Sequence, residues 1–571
     1  MHRPDTTPFR SSYFSYEVYP FQRPADMDAP EAAIHPVVVI GAGPSGLVLA
    51  IQLRKHGIPC VLIEAEAQVS GGSRAVALTK RSMEIIEQSG AAERFLAKAI
   101  TWREGHSYYK NSVVHHLDIP YQPDDKFEPM TNLGQCLMED ILVEEALAQG
   151  VDIRFQTALV GLTSHENRLE LELDTPEGVY RCNASWVVGC DGARSAVRRL
   201  TGLRFEGESF ESRFVIADFK MELDEPAGRR CYFEPPWLPG QTALVHKTHP
   251  WIWRLDYQVP DGMSDEEAIR PERIKANIEA HLAYVGIDRP WQIEWISLYR
   301  PNAMTLAEYH HGRVLLCGDA AHLLPVFGVR GMNTGVQDAI NLGWKLAAVI
   351  QGQAKPSLLA TYSTERVADA RQICVEAARS TRMVAPPSHG FRVMQRAVLS
   401  LALNRPWVRG LLHWRTSHPI DYANSPLTRV DATEPEFKGG PPPGAPPRNA
   451  RLDPDRPDAG FLLDHFQAAF QVLVFGDDPE LWRQALEDVL ALREEGIAVR
   501  LLALPRRPDQ APAGADRILL DSSGHVAALW GCAGEAVYVL RPDQHVASRW
   551  TAGSAARVSD VIRQSLGIGA A

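Results

Sequence analysis

PVVVIGAGPSGLVLAIQLRKHGIPCVLIEAE, residues 36–66, is the stretch whose reading decides the fold. A β-branched run, a glycine turn, a helical stretch and a second apolar run make a βαβ unit. Both apolar runs are continuous rather than alternating, which predicts strands buried on both faces of a parallel sheet. Gly41-Ala42-Gly43-Pro44-Ser45-Gly46 fits GxGxxG between a strand and a helix. Gly41 permits the tight turn, Gly43 lets the backbone approach a pyrophosphate, and Gly46 lets helix and strand pack closely. The phosphates then sit at the helix N-terminus, where free N–H groups and the dipole favour anions. Glu64, with Ala65 beside it, ends the second strand near the spacing at which an acid accepts ribose hydroxyls. These residues predict a dinucleotide site without saying which dinucleotide.

Outward from that unit the chain runs to 571 residues. One hydrophobic core seldom serves more than about 250–300 residues, so several domains are expected. The formal charge of −11 (59 basic against 70 acidic residues) gives no electrostatic reason to expect nucleic acid or a membrane as partner. Eight cysteines carry neither a CxxC pair nor a metal-ligand spacing, and read as the reduced thiols of a cytoplasmic protein. His115-His116 and His310-His311 are adjacent residues that point apart, so no metal site is expected. No stretch approaches the roughly 20 apolar residues that span a bilayer.

Residues 1–35 form an aromatic, proline-rich arm with the means to pack through Tyr13, Phe14, Tyr19 and Phe21. Residues 36–204 hold the first part of the dinucleotide-binding domain. Across 205–304, FVIADFKMEL, RRCYFEP, QTALVHK and WIWRLDYQV are short aromatic-rich runs between Pro/Gly turns, as in an antiparallel sheet. Helical periodicity resumes at 334–350 and continues through 364–415, so residues 305–436 complete the first domain. FKGGPPPGAPPRNA, within a 437–451 linker, breaks the pattern. Residues 452–571 then alternate strands with helices at 479–494 and 554–566, an order that resembles a thioredoxin-like domain. Only Cys532 lies there, so the unit is read as structural, with a homodimer interface among its uses.

Two later motifs distinguish the dinucleotide. VVGCDGARSAVRR (187–199) places Asp191 after an apolar strand, and GRVLLCGDAAHLLPVFGVRGMNTGVQDAINLGWKLA (312–347) ends a strand in Gly318-Asp319 before a proline loop and a long helix. With GxGxxG these make the chain resemble, over roughly residues 36–430, the class A flavoprotein aromatic hydroxylases. That is the family of para-hydroxybenzoate and 3-(3-hydroxyphenyl)propionate hydroxylases. The resemblance implies an α/β fold in which a Rossmann-like FAD-binding domain is interleaved with an antiparallel-sheet substrate domain. It also implies non-covalent FAD, with NADH or NADPH and O₂ as co-substrates. A small phenolic ring would be hydroxylated through a flavin C4a-hydroperoxide.

Carried over residue by residue, the family pattern puts Asp319 on the ribityl chain, Pro325 beside the flavin ring, and Gly331, Met332 and Asn333 at its N1 and C2=O side. Arg74 and Gln135 resemble the residues that contact the pyrophosphate and ribityl regions, and Asp191 belongs to the second fingerprint. Arg254 falls where members carry a flavin-facing arginine, His246 where they line the substrate, and Tyr232 is a further lining candidate. A neutral His246 with an ordinary pKa near 6.5 suits a proton relay. The chain departs from the family at Val329-Arg330, which leaves Arg330 open between a cation near the flavin and a solvated loop residue. Other flavin chemistry on the same scaffold, namely halogenation, Baeyer–Villiger-type oxygenation or reduction, and a non-catalytic FAD-binding protein are the alternatives.

Overall fold

The computed structural model describes residues 4–28, 33–412, 419–508 and 513–568. Strand β1 (Ile34–Ile40), helix α1 (Pro44–Lys55) and strand β2 (Cys60–Ile63) form the expected unit. β1 pairs in parallel with β2 on one side and with β3 (Gly178–Gly189) on the other, and β3 pairs in parallel with Val314–Leu316. Val37, Val38, Val39, Val187 and Val188 are fully buried, as strands covered on both faces require.

A second, seven-stranded sheet stands against this one. Its strands are β4 (Phe214–Met221), β5 (Arg229–Phe233), β6 (Thr242–His249), β7 (Ile252–Gln258) and, after helix α2 (Pro271–Val285), β8 (Trp291–Tyr299). The order is β8-β4-β7-β6-β5, continued by Glu104–Tyr109 and Ser112–Asp118. All pairings are antiparallel except that of β5 with Glu104–Tyr109.

Register fixes the two faces of this sheet, because residues directly opposite share a side. Ser107 opposes Cys231, Cys231 opposes Leu244, Leu244 opposes Asp256, His246 opposes Arg254, and Arg254 opposes Asp218. This face is turned toward the dinucleotide domain, since Arg254 donates to the carbonyl oxygens of Ser73 and Arg74 (3.2 Å to the latter). The opposite face carries Val215, Phe219, Tyr232, Val245 and Trp253, packed with Ile274, Ile278 and Leu282 of α2.

Helices α3 (Gly331–Ile350) and α4 (Leu358–Val384) then return to the first sheet. A Cβ on Gly335 would lie 2.3 Å from Ser45 Oγ, so α3 reaches the glycine turn only because that position has no side chain. The C-terminal unit is a five-stranded sheet in the order Arg517–Ile518, Val499–Leu504, Phe470–Phe475, Ala536–Leu540, Val546–Thr551. The first three strands are parallel and the last two antiparallel, with helices Pro479–Glu494 and Val558–Ser565.

The Pro/Gly linker packs on the C-terminal sheet: Gly444 donates to Val546 O, Arg549 donates to Gly439 O, and a Cβ on Gly440 would strike Trp530. The C-terminal unit in turn docks on the helices of the first domain. Fully buried Arg541 donates to both oxygens of Glu365 on α4 (2.7 and 3.0 Å), beside Lys345 of α3 (2.6 Å from Glu365). Asp543 accepts from Asn341 and Trp344, and Trp344 packs into the apolar core of the C-terminal sheet. Removing one partner of such a buried pair costs about 3–5 kcal/mol, so the unit supports α3.

Candidate functional site

The glycine turn has the shape its sequence demands. A Cβ at Gly41 (φ +103°) would meet Cys190 O at 2.6 Å, and one at Gly46 would meet Gly41 O at 1.9 Å. Gly43 faces open space, its nearest neighbour for a Cβ being Glu139 at 4.0 Å. It is the N-cap of α1 with no side-chain cap, so the first N–H groups of the helix stay available to an anion. In front of them lies a cavity of about 280 Å³ lined by Ala42, Gly43, Glu64, Ser70, Arg74 and Glu139 among others.

Glu64 accepts from Ala42 N (2.8 Å) and Glu66 N (2.9 Å), and burial raises its carboxyl above the usual range. Gln135 accepts from Ala75 N and donates to Glu139 at 2.7 Å, tying the 70–75 loop to the helix Gln135–Ala148. Glu139, which the sequence reading missed, also accepts from Ser70 N and Ser70 Oγ, and burial pushes it up to about 7. Its position four residues after Gln135, one helical turn on, was the available signal.

Asp191 behaves otherwise than expected of a direct ligand. Its oxygens accept from Ser195 Oγ, Ala196 N and Val197 N, so it holds the turn against which Gly41 packs. Asp319 is exposed beside the N-terminus of α3, where a Cβ on Gly331 would lie 3.7 Å from its Oδ1. Gly318 N and His322 both donate to the buried Asp338, held low at about 2 chiefly by Arg366 and His322 against the effect of burial. α3 begins without a side-chain cap, leaving its first N–H groups, those of Gly331, Met332 and Asn333, available. The Asn333 side chain is committed elsewhere, accepting from Thr79 N and donating to Ala77 O and Val329 O. Pro325 is buried in the preceding loop, and Val329 there adopts φ +61°, which costs a β-branched residue about 1–3 kcal/mol. Arg330 is not solvated: its side chain is buried, 3.4 Å from Glu376 of α4.

Two uncapped helix N-termini, a carboxylate at each strand end and an open approach over Gly43 fit a dinucleotide carrying an isoalloxazine ring. The seven-stranded sheet closes the other side. Tyr299 accepts from Val326 N, and a Cβ on Gly72 would collide with Trp295. Arg254, fully enclosed, donates to Asp218 (2.7 and 2.9 Å) as well as to the 73–74 carbonyls. It therefore holds the flavin-side loop and presents no free guanidinium. His246 stands next to it, its pKa driven well below 6.5 by burial and by Arg254 and Arg229. Tyr232 is misplaced by the sequence reading. It lies on the opposite face, stacked on Tyr108 at 5.0 Å and edge-on to His281 of α2, because strand parity alone does not say which face looks inward. Among the described residues one trio could hold a metal, Asp26, His35 and Cys182, but Arg154 donates to Asp26 at 2.6 Å and already supplies the cation there.

The fold and this site define an FAD-dependent oxidoreductase of the monooxygenase type. Residues 35–377 match the family model described as FAD binding domain, and the chain belongs to that family. It is 33% identical over 341 residues to the rifampicin monooxygenase of Streptomyces venezuelae (58% of this chain, 67% of the relative). It is 27% identical to the 3-(3-hydroxy-phenyl)propionate/3-hydroxycinnamic acid hydroxylase of Mycolicibacterium smegmatis over 92% of both chains. Among solved structures, the flavin-dependent monooxygenase PieE, in complex with FAD and substrate, superposes with a TM-score of 0.74 at 25% identity, covering 95% of this chain and all of that one. FAD is the cofactor, and NAD(P)H is the co-substrate typical of the family. Among the described residues no helix is long and apolar enough to cross a membrane.

Proposed function

We propose that the chain hydroxylates a small phenolic compound with NADH or NADPH and O₂. The observation that carries this reading is the inner face of the seven-stranded sheet. It groups Arg229, His246, Arg254 and Asp256 on one side, where Arg254 holds the 73–74 carbonyls and Phe214 and Leu244 pack with Phe327. The M. smegmatis relative, named for hydroxylating two phenolic acids, supports the aromatic class.

FAD, reduced by NAD(P)H, supplies the activated oxygen when bound. The chain's own residues do the rest. Gly43 and the α1 N-terminus would receive the pyrophosphate, Glu64 a ribose and Asp319 the ribityl chain, and the Gly331–Asn333 N–H groups would face the ring. The partial positive charge at that helix end favours negative charge on the ring. Arg254 fixes the 73–74 backbone, and neutral His246 offers a hydrogen bond to substrate. Residues 36–204 with 305–436 are the FAD-binding domain, 205–304 the substrate domain and 452–571 a thioredoxin-like support. The strand order around Phe470–Phe475, with two closing antiparallel strands, supports that last assignment.

The test is a screen of phenols and phenolic acids on the yellow holoprotein, scoring stimulated NAD(P)H oxidation together with the hydroxylated product. NAD(P)H oxidation that no phenol stimulates contradicts the reading. Asp319→Ala should lower FAD affinity by the roughly 1.5–3 kcal/mol of a charged hydrogen bond, read by flavin release on dilution.

A further inference from the structure

One wall of the cavity over Gly43 is backed by chain outside the matched residues 35–377. Gln68, Ser70 and Gly71 of that wall all touch the N-terminal arm. Gln68 donates to Thr7 O (3.2 Å) and accepts from Phe9 N (3.1 Å), and a Cβ on Gly71 would lie 2.9 Å from the Phe9 ring. The hydroxyl of buried Tyr16 accepts from Gly72 N (2.9 Å) and donates to Ser70 O (3.3 Å). Burial raises the pKa of this phenol, so it keeps the proton it donates. Gly71 and Gly72 leave the segment conformationally free, Gly72 standing at φ +75°, so the Tyr16 bonds supply what the local backbone lacks. The seven-stranded sheet holds the same loop: Arg254 donates to the Ser73 and Arg74 carbonyls, and a Cβ on Gly72 would lie 2.2 Å from Trp295. The arm reaches that sheet as well, with Ser12 N donating to Glu294 (2.9 Å) of β8. Among the described residues no arm residue lines the cavity itself, whereas Arg74, carried by the loop, does.

We propose that residues 7–16 are a strap on the cofactor cavity, in which Tyr16 and Phe9 are positioning residues that hold the 68–74 loop closed and so set how fast FAD enters and leaves. The inference rests on the placement of FAD over Gly43 and is independent of which ring is oxidised. Movement of the loop away from the cavity widens the exit. It also breaks both Tyr16 bonds and lifts Gly71 off Phe9, so the closed loop is favoured by what those contacts contribute. A contact changes an equilibrium only by the difference it makes between the two states. The strap touches the wall and not the cavity, and it favours the closed loop whether the cavity is filled or empty. Its loss therefore speeds entry and release together and leaves affinity nearly unchanged. A side chain that touched FAD would behave otherwise, since losing it raises the Kd by the same factor as the release rate.

The experiment dilutes the FAD-loaded holoprotein and follows flavin fluorescence, whose rise gives the release rate and whose plateau gives the Kd. Tyr16→Phe keeps the ring and removes both hydroxyl bonds, so release should accelerate about fivefold to tenfold, as the loss of one or two neutral hydrogen bonds allows, with the Kd within about twofold of wild type. Phe9→Ala should accelerate release in the same way. Tyr19→Phe removes a hydroxyl from the same arm that bonds nothing in the loop, and should release FAD at the wild-type rate. Release at the wild-type rate in both Tyr16→Phe and Phe9→Ala would overturn the proposal. A Kd that rises in step with release would overturn it too, because that pattern marks a lost FAD contact or a damaged fold. Gly43→Val places a side chain in the cavity and checks the placement of FAD separately. If it binds FAD as wild type does, that placement falls and the strap with it. If it loses FAD while both arm variants release at the wild-type rate, the placement stands and the strap alone falls.

Discussion

The two faces of the seven-stranded sheet are built by the same strands from adjacent residues, yet they do opposite work. The face toward α2 is apolar: Val215, Phe219, Tyr232, Val245, Trp253 and Leu255 interlock with Ile274, Ile278 and Leu282. The two cations it carries are committed, Arg230 to Glu225 (2.6 Å) and Lys247 to Glu225 O (2.6 Å), both over Trp253, while burial pushes Tyr232 upward and His281 down to about 4. The inner face alternates Arg229, His246, Arg254, Asp256 and Asp218 with small or apolar residues. An apolar face costs nothing in desolvated charge and supplies stability. A charged face within the protein lowers stability unless each charge is matched, and is kept where chemistry needs it.

Asp218→Ala should show the largest effect, because it leaves Arg254 buried without its carboxylate. A loss of about 3–5 kcal/mol is expected by denaturant unfolding of the holoprotein, with weakened FAD retention as the 73–74 loop loosens. A loss below about 1 kcal/mol would mean that the pair is solvated in solution and that the two faces are alike.

Asp256→Asn sharpens the contrast through pH. Burial raises the folded-state carboxyl from 3.8 to about 7, so the native protein binds this proton more tightly than the unfolded chain. Stability is then highest below about pH 4 as far as this group is concerned, and falls as pH rises toward 7. The midpoint gain of Asp256→Asn over wild type should therefore grow between pH 5 and pH 8. A constant difference would show that Asp256 titrates normally.

His246→Ala should leave FAD bound while lowering product formed per NAD(P)H consumed several-fold, with the balance appearing as H₂O₂. The smallest effect belongs to the apolar face. Tyr232→Phe should cost about 1 kcal/mol or less and leave coupling unchanged, since its ring stacks on Tyr108 on the face packed against α2.

How far the sequence could be read follows the same division. The shape of the glycine turn and the strand ending at Glu64 was legible because the backbone there is set within a few residues. Tyr232 was not, because alternation fixes which residues share a face and leaves the inward face to register with Glu104–Tyr109 and to the packing of α2. Asp256 shares Arg254's parity, but nothing in WRLDYQ signals that its carboxyl would be enclosed. The docking of the C-terminal unit was out of reach for a related reason. Arg541 meets Glu365 across 176 residues, and neither carries a motif. A lone buried Arg330 paired with Glu376 escaped in the same way.

Chemistry belongs to the inner face of the sheet and stability to the outer one. Product formed per NAD(P)H oxidised, measured side by side on FAD-loaded His246→Ala and Tyr232→Phe with whichever phenol best stimulates wild type, tests it most directly. The account predicts wild-type coupling in Tyr232→Phe and a several-fold loss in His246→Ala. Wild-type coupling in His246→Ala with loss in Tyr232→Phe would contradict it and move the substrate to the other side of the sheet.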